Sequence, residues 1–276
     1  LWDSCRDGEL STSDYVAIAL NALKTESDIS IVAATYLQFE TAIWAYANPA
    51  KRDGLRAQVA DATAAMLATA APGSDHQMQF AKAFANNAIT PAHMEKLKAI
   101  LNGSENGLVI DAEIRWYIFI CGVKRGVFTV ADIEAESAKD NTAHGKQYTA
   151  YAHAALPTKE AKDAAFKSIT TDNLSNTIHS YMCRGFNENI HHELLAGFVD
   201  QYFDAILKVW ETKGFEIAET TATLLFPSWV IGEETVKKAQ HWLDVTGKDA
   251  SHALRRSVTE GRDAMSRAIK ARAADK

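Results

Sequence analysis

Residues 189–210 read NIHHELLAGFVDQYFDAILKVW, and the apolar pattern of this stretch decides the architecture. Ile190, Leu194, Phe198, Tyr202, Ile206 and Val209 recur at steps of three and four, which places them on one face of a helix. Leu195, Val199, Phe203 and Trp210 widen that face until little of the girth is polar. A helix apolar around so much of its circumference has to be covered on two sides, as in a layered array. The spacing predicts a helix that opens at Asn189.

Upstream, Ile29, Val32, Tyr36, Phe39, Ile43 and Tyr46 make a single apolar stripe with the same period. Helix starts and stops punctuate the rest at short intervals. Ser11, Asp28, Ser74, Thr90, Asp111, Thr129, Thr142, Thr158, Asp172, Gly232 and Asp249 stand where an N-terminal cap is expected, and Thr90 is followed by Pro91 at the first helical position. Asn48-Pro49, Pro72-Gly73, Asn102-Gly103, Gly126, Pro157 and Gly185 stand where helices end. About fourteen helices follow, with no convincing strand alternation. One helix and its loop take roughly 20 residues, so a pair takes roughly 40, the period of HEAT and armadillo-type repeats. The expected fold is all-α: a superhelix or solenoid of stacked antiparallel helix pairs, forming a single domain over residues 1–276.

Composition agrees. Of 276 residues 47 are Ala, against 14 Gly and 5 Pro, a balance that favours helix because Ala loses no rotamer freedom there. No stretch approaches the ~18 uninterrupted apolar residues of a membrane span. The formal net charge of −6 argues against a general nucleic-acid binder, so neither nucleic acid nor membrane is expected as a partner. Charge is uneven, however. Residues 248–276 carry eight Lys and Arg against four acids, which reads first as a solvated terminal helix with cations suited to its C-terminal dipole. Cys5, Cys121 and Cys183 are odd in number and widely spaced, as buried thiols of a cytoplasmic, reducing compartment would be. The opening Leu1-Trp2-Asp3 reads as the tail of a helix, and a fragment of a longer chain is expected.

Motifs that would carry chemistry fall short. His191-His192-Glu193 begins like a zinc-peptidase helix, but Ala196 stands four residues after His192 and Leu195 four after His191, where a second ligand would be needed. Ala92-His93-Met94-Glu95-Lys96 reads as ordinary helix surface. No phosphate-cradling glycine loop and no nucleophile elbow is present, so no catalytic and no metal-binding residue is assigned. Arg115 and Arg184 remain as candidates for facing a substrate, since a guanidinium fork can hold a peptide carboxylate. The apolar run from Leu224 to Ile231 is either a buried corner between helices or an exposed patch for docking another domain, with Phe226 and Trp229 as its candidate contacts.

Several short motifs, in order, resemble one family. They begin with LWDSCRDGEL at residues 1–10 and Asp14-Tyr15-Val16. Pro72-Gly73-Ser74-Asp75-His76-Gln77, Gly107-Leu108 with Arg115-Trp116, and Pro157-Thr158 with Glu160-Ala161-Lys162 follow. Gly185-Phe186 with Glu193-Leu194-Leu195, Tyr202-Phe203 with Val209-Trp210, Phe226-Pro227, and Leu254-Arg255-Arg256 with Glu260-Gly261-Arg262-Asp263 complete the series. The set is similar to the helical C-terminal domain of actinobacterial M1-family aminopeptidase N, a domain also found in the endoplasmic-reticulum aminopeptidases. The resemblance implies a parent zinc metallopeptidase whose zinc helix and exopeptidase motif lie in an upstream catalytic domain, the partner of this one. It implies a superhelix of HEAT-like pairs that caps the active-site cavity and controls access of the peptide substrate. The chain by itself is then non-catalytic and holds no cofactor. A free-standing helical-repeat scaffold that binds a peptide or protein in its groove is the alternative.

Overall fold

The computed structural model describes all 276 residues and contains helices but no strand. In chain order the helices are α1 (Trp2–Arg6), α2 (Thr12–Leu23), α3 (Ile29–Thr41), α4 (Arg52–Thr69), α5 (Asp75–Asn87), α6 (Pro91–Leu101), α7 (Ala112–Val123) and α8 (Val130–Ser137). They continue as α9 (Ala143–Ala154), α10 (Lys159–Thr171), α11 (Asn176–Phe186), α12 (His192–Leu195), α13 (Phe198–Thr212), α14 (Phe215–Leu224), α15 (Glu233–Asp244) and α16 (His252–Ala274). Between α3 and α4 the chain forms a π-helical turn, Ala42–Tyr46, and a 3₁₀ turn, Pro49–Lys51.

Most starts are where short-range capping chemistry put them. The side chains of Ser11, Asp28, Ser74, Thr90, Thr129, Thr142 and Thr158 each accept a backbone N–H from the first turn. Two starts lie a few residues later than expected: α11 is capped by Ser175 rather than Asp172, and Ser251 rather than Asp249 caps α16, while α14 begins at Phe215, one residue before the start expected at Glu216. Two further helices raise the total to sixteen. One is the five-residue α1, and the other comes from a break in the stretch read as one helix from Asn189. A 3₁₀ turn, Asn189–His191, leads into the single turn of α12, and a new helix starts after Gly197. Glycine is the poorest non-proline helix former and packs no side chain, so the ladder yields there.

The chain divides into two compact units. One comprises Leu1–Gly122 with Arg267–Lys276, and the other Val123–Ser266. Within the first, α2 packs on α3 and on α4, while α5 packs on α3, α4 and α6. Within the second, α9 packs on α8, α10 and α11, and α11 also on α14. Neighbouring helices thus pack on one another and, at α2 on α4, α3 on α5 and α9 on α11, on the next helix but one, as stacked helix pairs do. Aromatic rings fill the layers: Tyr15, Tyr36, Phe39 and Phe80 interlock in the first unit, and Phe166, Phe186, Phe198 and Trp229 in the second.

The end of α16 is not a freely solvated helix, which corrects the first reading of the cationic terminus. Arg272 donates from Nε to the Ala45 carbonyl at 3.0 Å and from Nη2 to that of Trp44 at 3.1 Å. Asp275, with no exposed surface, accepts from the backbone N–H of Ser13 at 3.2 Å, the Ser13 hydroxyl at 3.0 Å and the Asn48 N–H at 2.8 Å. A carboxylate and a guanidinium at the last turn thereby satisfy polar backbone groups near α2 and at the π-helical turn.

Candidate functional site

The second unit is built around a buried polar cluster. Lys162 lies on α10 in register with Ala165, Phe166 and Ile169, all buried, so a lysine occupies the first place of an apolar stripe. It is fully buried, and its ammonium donates to the carbonyls of Ala154 at 2.7 Å, Gly185 at 3.0 Å and Phe186 at 3.1 Å. These belong to the last turns of α9 and α11, where carbonyls have no partner within the helix. Three donors on one ammonium meet three carbonyls at helix ends, of which that of Phe186 also accepts the Glu188 N–H at 2.9 Å. Burial, only partly offset by Glu188, pulls the Lys162 proton affinity down to about 7.

Glu188 closes the charge balance. Its carboxylate is 3.3 Å from the Lys124 ammonium and accepts the Tyr151 hydroxyl at 2.6 Å. Burial alone would raise its pKa, but Lys124, the Tyr151 hydroxyl, Lys162 and His191 together hold it below the usual carboxylate range. His191 Nε2 lies 2.6 Å from the Lys124 carbonyl. A carbonyl only accepts, so Nε2 carries the proton. Burial first, then the Lys162 charge, pushes this histidine down to about 4, so it stays neutral at physiological pH. The ring that looked like the start of a zinc helix is turned to a backbone carbonyl, and nowhere do three metal-ligating side chains gather. The residues of this chain do not fit a zinc site.

The cluster fixes the outer ledge of α9 and α11. Gly185 lets the helices touch: a Cβ there would lie 2.3 Å from the Tyr151 carbonyl oxygen. On the ledge the rings of Tyr148 and Tyr181 meet edge to face at 5.4 Å. Arg184 is exposed, with its guanidinium carbon 5.8 Å from the Tyr181 ring centre. This candidate thus pairs a fork of donors with aromatic surface, on two helices locked by Lys162. Arg115, by contrast, is half-buried on α7 and donates to the Leu101 carbonyl at 3.2 Å, holding the end of α6. Arg115 belongs to the first unit and Arg184 to the second.

Phe226 and Trp229 are corrected from docking candidates to interior residues, at 5% and 1% exposure. Phe226 packs on Tyr202 and Phe203, and Trp229 on Phe186. The apolar run therefore makes a buried corner, because its aromatic rings are consumed inside the unit. His93 is likewise interior: its Nδ1 accepts from the N–H groups of Ile89 and Thr90, and its Nε2 meets Asp61 at 2.9 Å.

Motifs far apart in sequence meet in pairs. Gln77 accepts from the Gly73 N–H and donates to the Asn106 carbonyl, both at 2.8 Å. Gly107, at φ +78°, lies so close to Pro72 that a Cβ would sit 2.4 Å from the proline Cβ. Lys162 binds Gly185 and Phe186, and Gly261 leaves space for the ring of Phe226. The chain is 38% identical, over 277 aligned positions, to an aminopeptidase N of Streptomyces lividans. The alignment takes in 99% of this chain and 32% of that protein, at its C-terminal part, so the chain spans about a third of the length of the curated relative it matches. The family described as the ERAP1-like C-terminal domain matches residues 1–267, and to that family the chain belongs.

Proposed function

We propose that this chain is the non-catalytic C-terminal domain of a zinc-dependent M1-family aminopeptidase, in which it caps the active-site cavity and controls which peptides enter. The observation that carries the reading is the alignment of nearly the whole chain with one third of an aminopeptidase N. The helical architecture supports it, since stacked helix pairs offer long, rigid surfaces on which a peptide can lie. Zinc and the groups that polarise the scissile bond belong to the upstream catalytic domain. This domain contributes position and exclusion of bulk water. Arg184 with Tyr148 and Tyr181 is the proposed contact for the peptide, the guanidinium holding a carboxylate and the rings its side chains. Cytoplasmic placement is part of the proposal, supported by three cysteines that are all buried in the fold.

The test is reconstitution. The upstream portion is expressed alone and assayed on aminoacyl fluorophores and on peptides, with and without the 276-residue chain, and the chain is assayed by itself. The chain alone should be inert, should bind the upstream portion, and should change cleavage of peptides more than of fluorophores. Arg184→Ala should reduce that change without altering the stability of the chain. Absence of binding and of any effect on cleavage would remove the capping role and favour a free-standing scaffold.

A further inference from the structure

In the first unit, Arg52 opens α4, Arg56 follows one turn later on the same face, and Arg272 lies near the end of α16. Arg52 is 8% exposed, and its guanidinium carbon lies 4.0 Å from the centre of the Trp44 ring. Its Nε and Nη2 are buried without a hydrogen-bond partner. A guanidinium keeps its charge at any physiological pH, so these N–H groups cannot be relieved by losing a proton. The surroundings add to the positive potential. Burial first, then Arg272 and Arg56, lower the Arg52 pKa to about 10, and the opposing group, Asp53, is exposed. Arg52 also stands at the positive end of an 18-residue helix whose capping residue, Lys51, makes no side-chain cap.

The local backbone is built to present this group. Trp44 sits in the π-helical turn, and Arg272 holds that turn from below through the carbonyls of Trp44 and Ala45. Stacking on the indole covers one face of the Arg52 guanidinium and leaves its planar edge for in-plane bonding. Nε and Nη2 form the edge of the fork that takes two oxygens of one anion. We propose that Arg52, stacked on Trp44 with Arg56 and Arg272 beside it, is a binding site for an oxyanion, a carboxylate or a phosphate group. The edge is closed over in this conformation, so outlying side chains shift as the anion enters, and binding is read as stabilisation of the fold.

Sodium phosphate and sodium acetate are titrated separately into the chain, with ionic strength held constant by sodium chloride and Tm as the readout. Wild type is compared with Arg52→Met, Arg52→Lys and the exposed control Arg256→Met. One or both anions should raise the wild-type and control Tm saturably, by about 3 °C at a tenfold excess over Kd. The rise should be absent in Arg52→Met and reduced in Arg52→Lys, which keeps the charge but loses the fork. A response to phosphate alone assigns a phosphate site; a response to acetate assigns a carboxylate site. In chloride, Arg52→Met should melt no lower than wild type, because it removes an uncompensated buried charge. No saturable response from either anion, or an equal response in wild type and Arg52→Met, overturns the proposal. If Arg52→Met does not fold, an equal response in Arg52→Lys overturns it.

Discussion

Glu188→Gln is the sharpest test of how the second unit is held together. The substitution keeps the shape and the acceptor for Tyr151 but removes the carboxylate that faces Lys124 and Lys162. At 3.3 Å and an effective dielectric of about 20, the Lys124–Glu188 attraction is about 5 kcal/mol, part of which is offset by the desolvation of the carboxylate. Removing one partner of a buried pair typically costs about 3–5 kcal/mol, because the remaining charge is left uncompensated. Urea unfolding at pH 7 should therefore show Glu188→Gln less stable than wild type by that amount. The exposed control Glu193→Gln should change stability by less than about 0.5 kcal/mol. The double variant Lys124→Met/Glu188→Gln should recover part of the loss, since the Lys124 charge is then removed together with its partner, leaving only that of Lys162 uncompensated. Acid sharpens the test. The fold holds Glu188 ionised below the ordinary glutamate range, so its contribution is present above that range and fades as the pH falls through the lower folded value. The gap between wild type and Glu188→Gln should close in acid. A gap under 1 kcal/mol at pH 7, or one that stays constant with pH, refutes the charge-balance argument.

Three further outcomes follow from the same geometry. Folded Lys162 binds its proton only below about 7, while unfolded lysine does so up to about 10.5; over that window the unfolded chain holds the extra proton, so Lys162 makes stability rise with pH, by at most about 1.4 kcal/mol per unit. Comparing unfolding of wild type and Lys162→Met at pH 7 and pH 9 should show this slope lost in the variant. Gly185→Ala drives a Cβ to 2.3 Å from the Tyr151 carbonyl and must part α9 from α11, at a cost of about 3 kcal/mol, read as a lower urea midpoint. Asp275→Ala orphans the N–H groups of Ser13 and Asn48, which should cost about 2–4 kcal/mol and speed hydrogen exchange at those two amides.

The break at Gly197 and the burial of Lys162 show where reading the chain stops. A glycine inside a strong apolar period was outweighed by the stripe around it, though its low helix propensity was visible. Lys162 sits at the head of an apolar stripe, a signal that could have marked it. What it bonds, however, depends on carbonyls eight, twenty-three and twenty-four residues away. Phe226 and Trp229 left two readings open because an apolar corner and an apolar patch have the same composition. Only the rings packed against them choose between the two. Arg184 and Arg115 were equal candidates on paper, and the neighbouring Leu101 carbonyl separates them.

From the sequence alone come the helical class, most helix starts, the family, and the buried state of the three cysteines. These rest on signals that act within three or four residues, such as caps and stripes, or on motif order along the chain. The tertiary structure alone decided that Asp275 and Arg272 anchor the last turn, that His191 is a neutral donor to a carbonyl, and that Arg52 lies stacked and unpartnered on Trp44. Each of these depends on groups brought together from distant elements, and the free energy of a buried charge is set by those neighbours rather than by the residue that bears it.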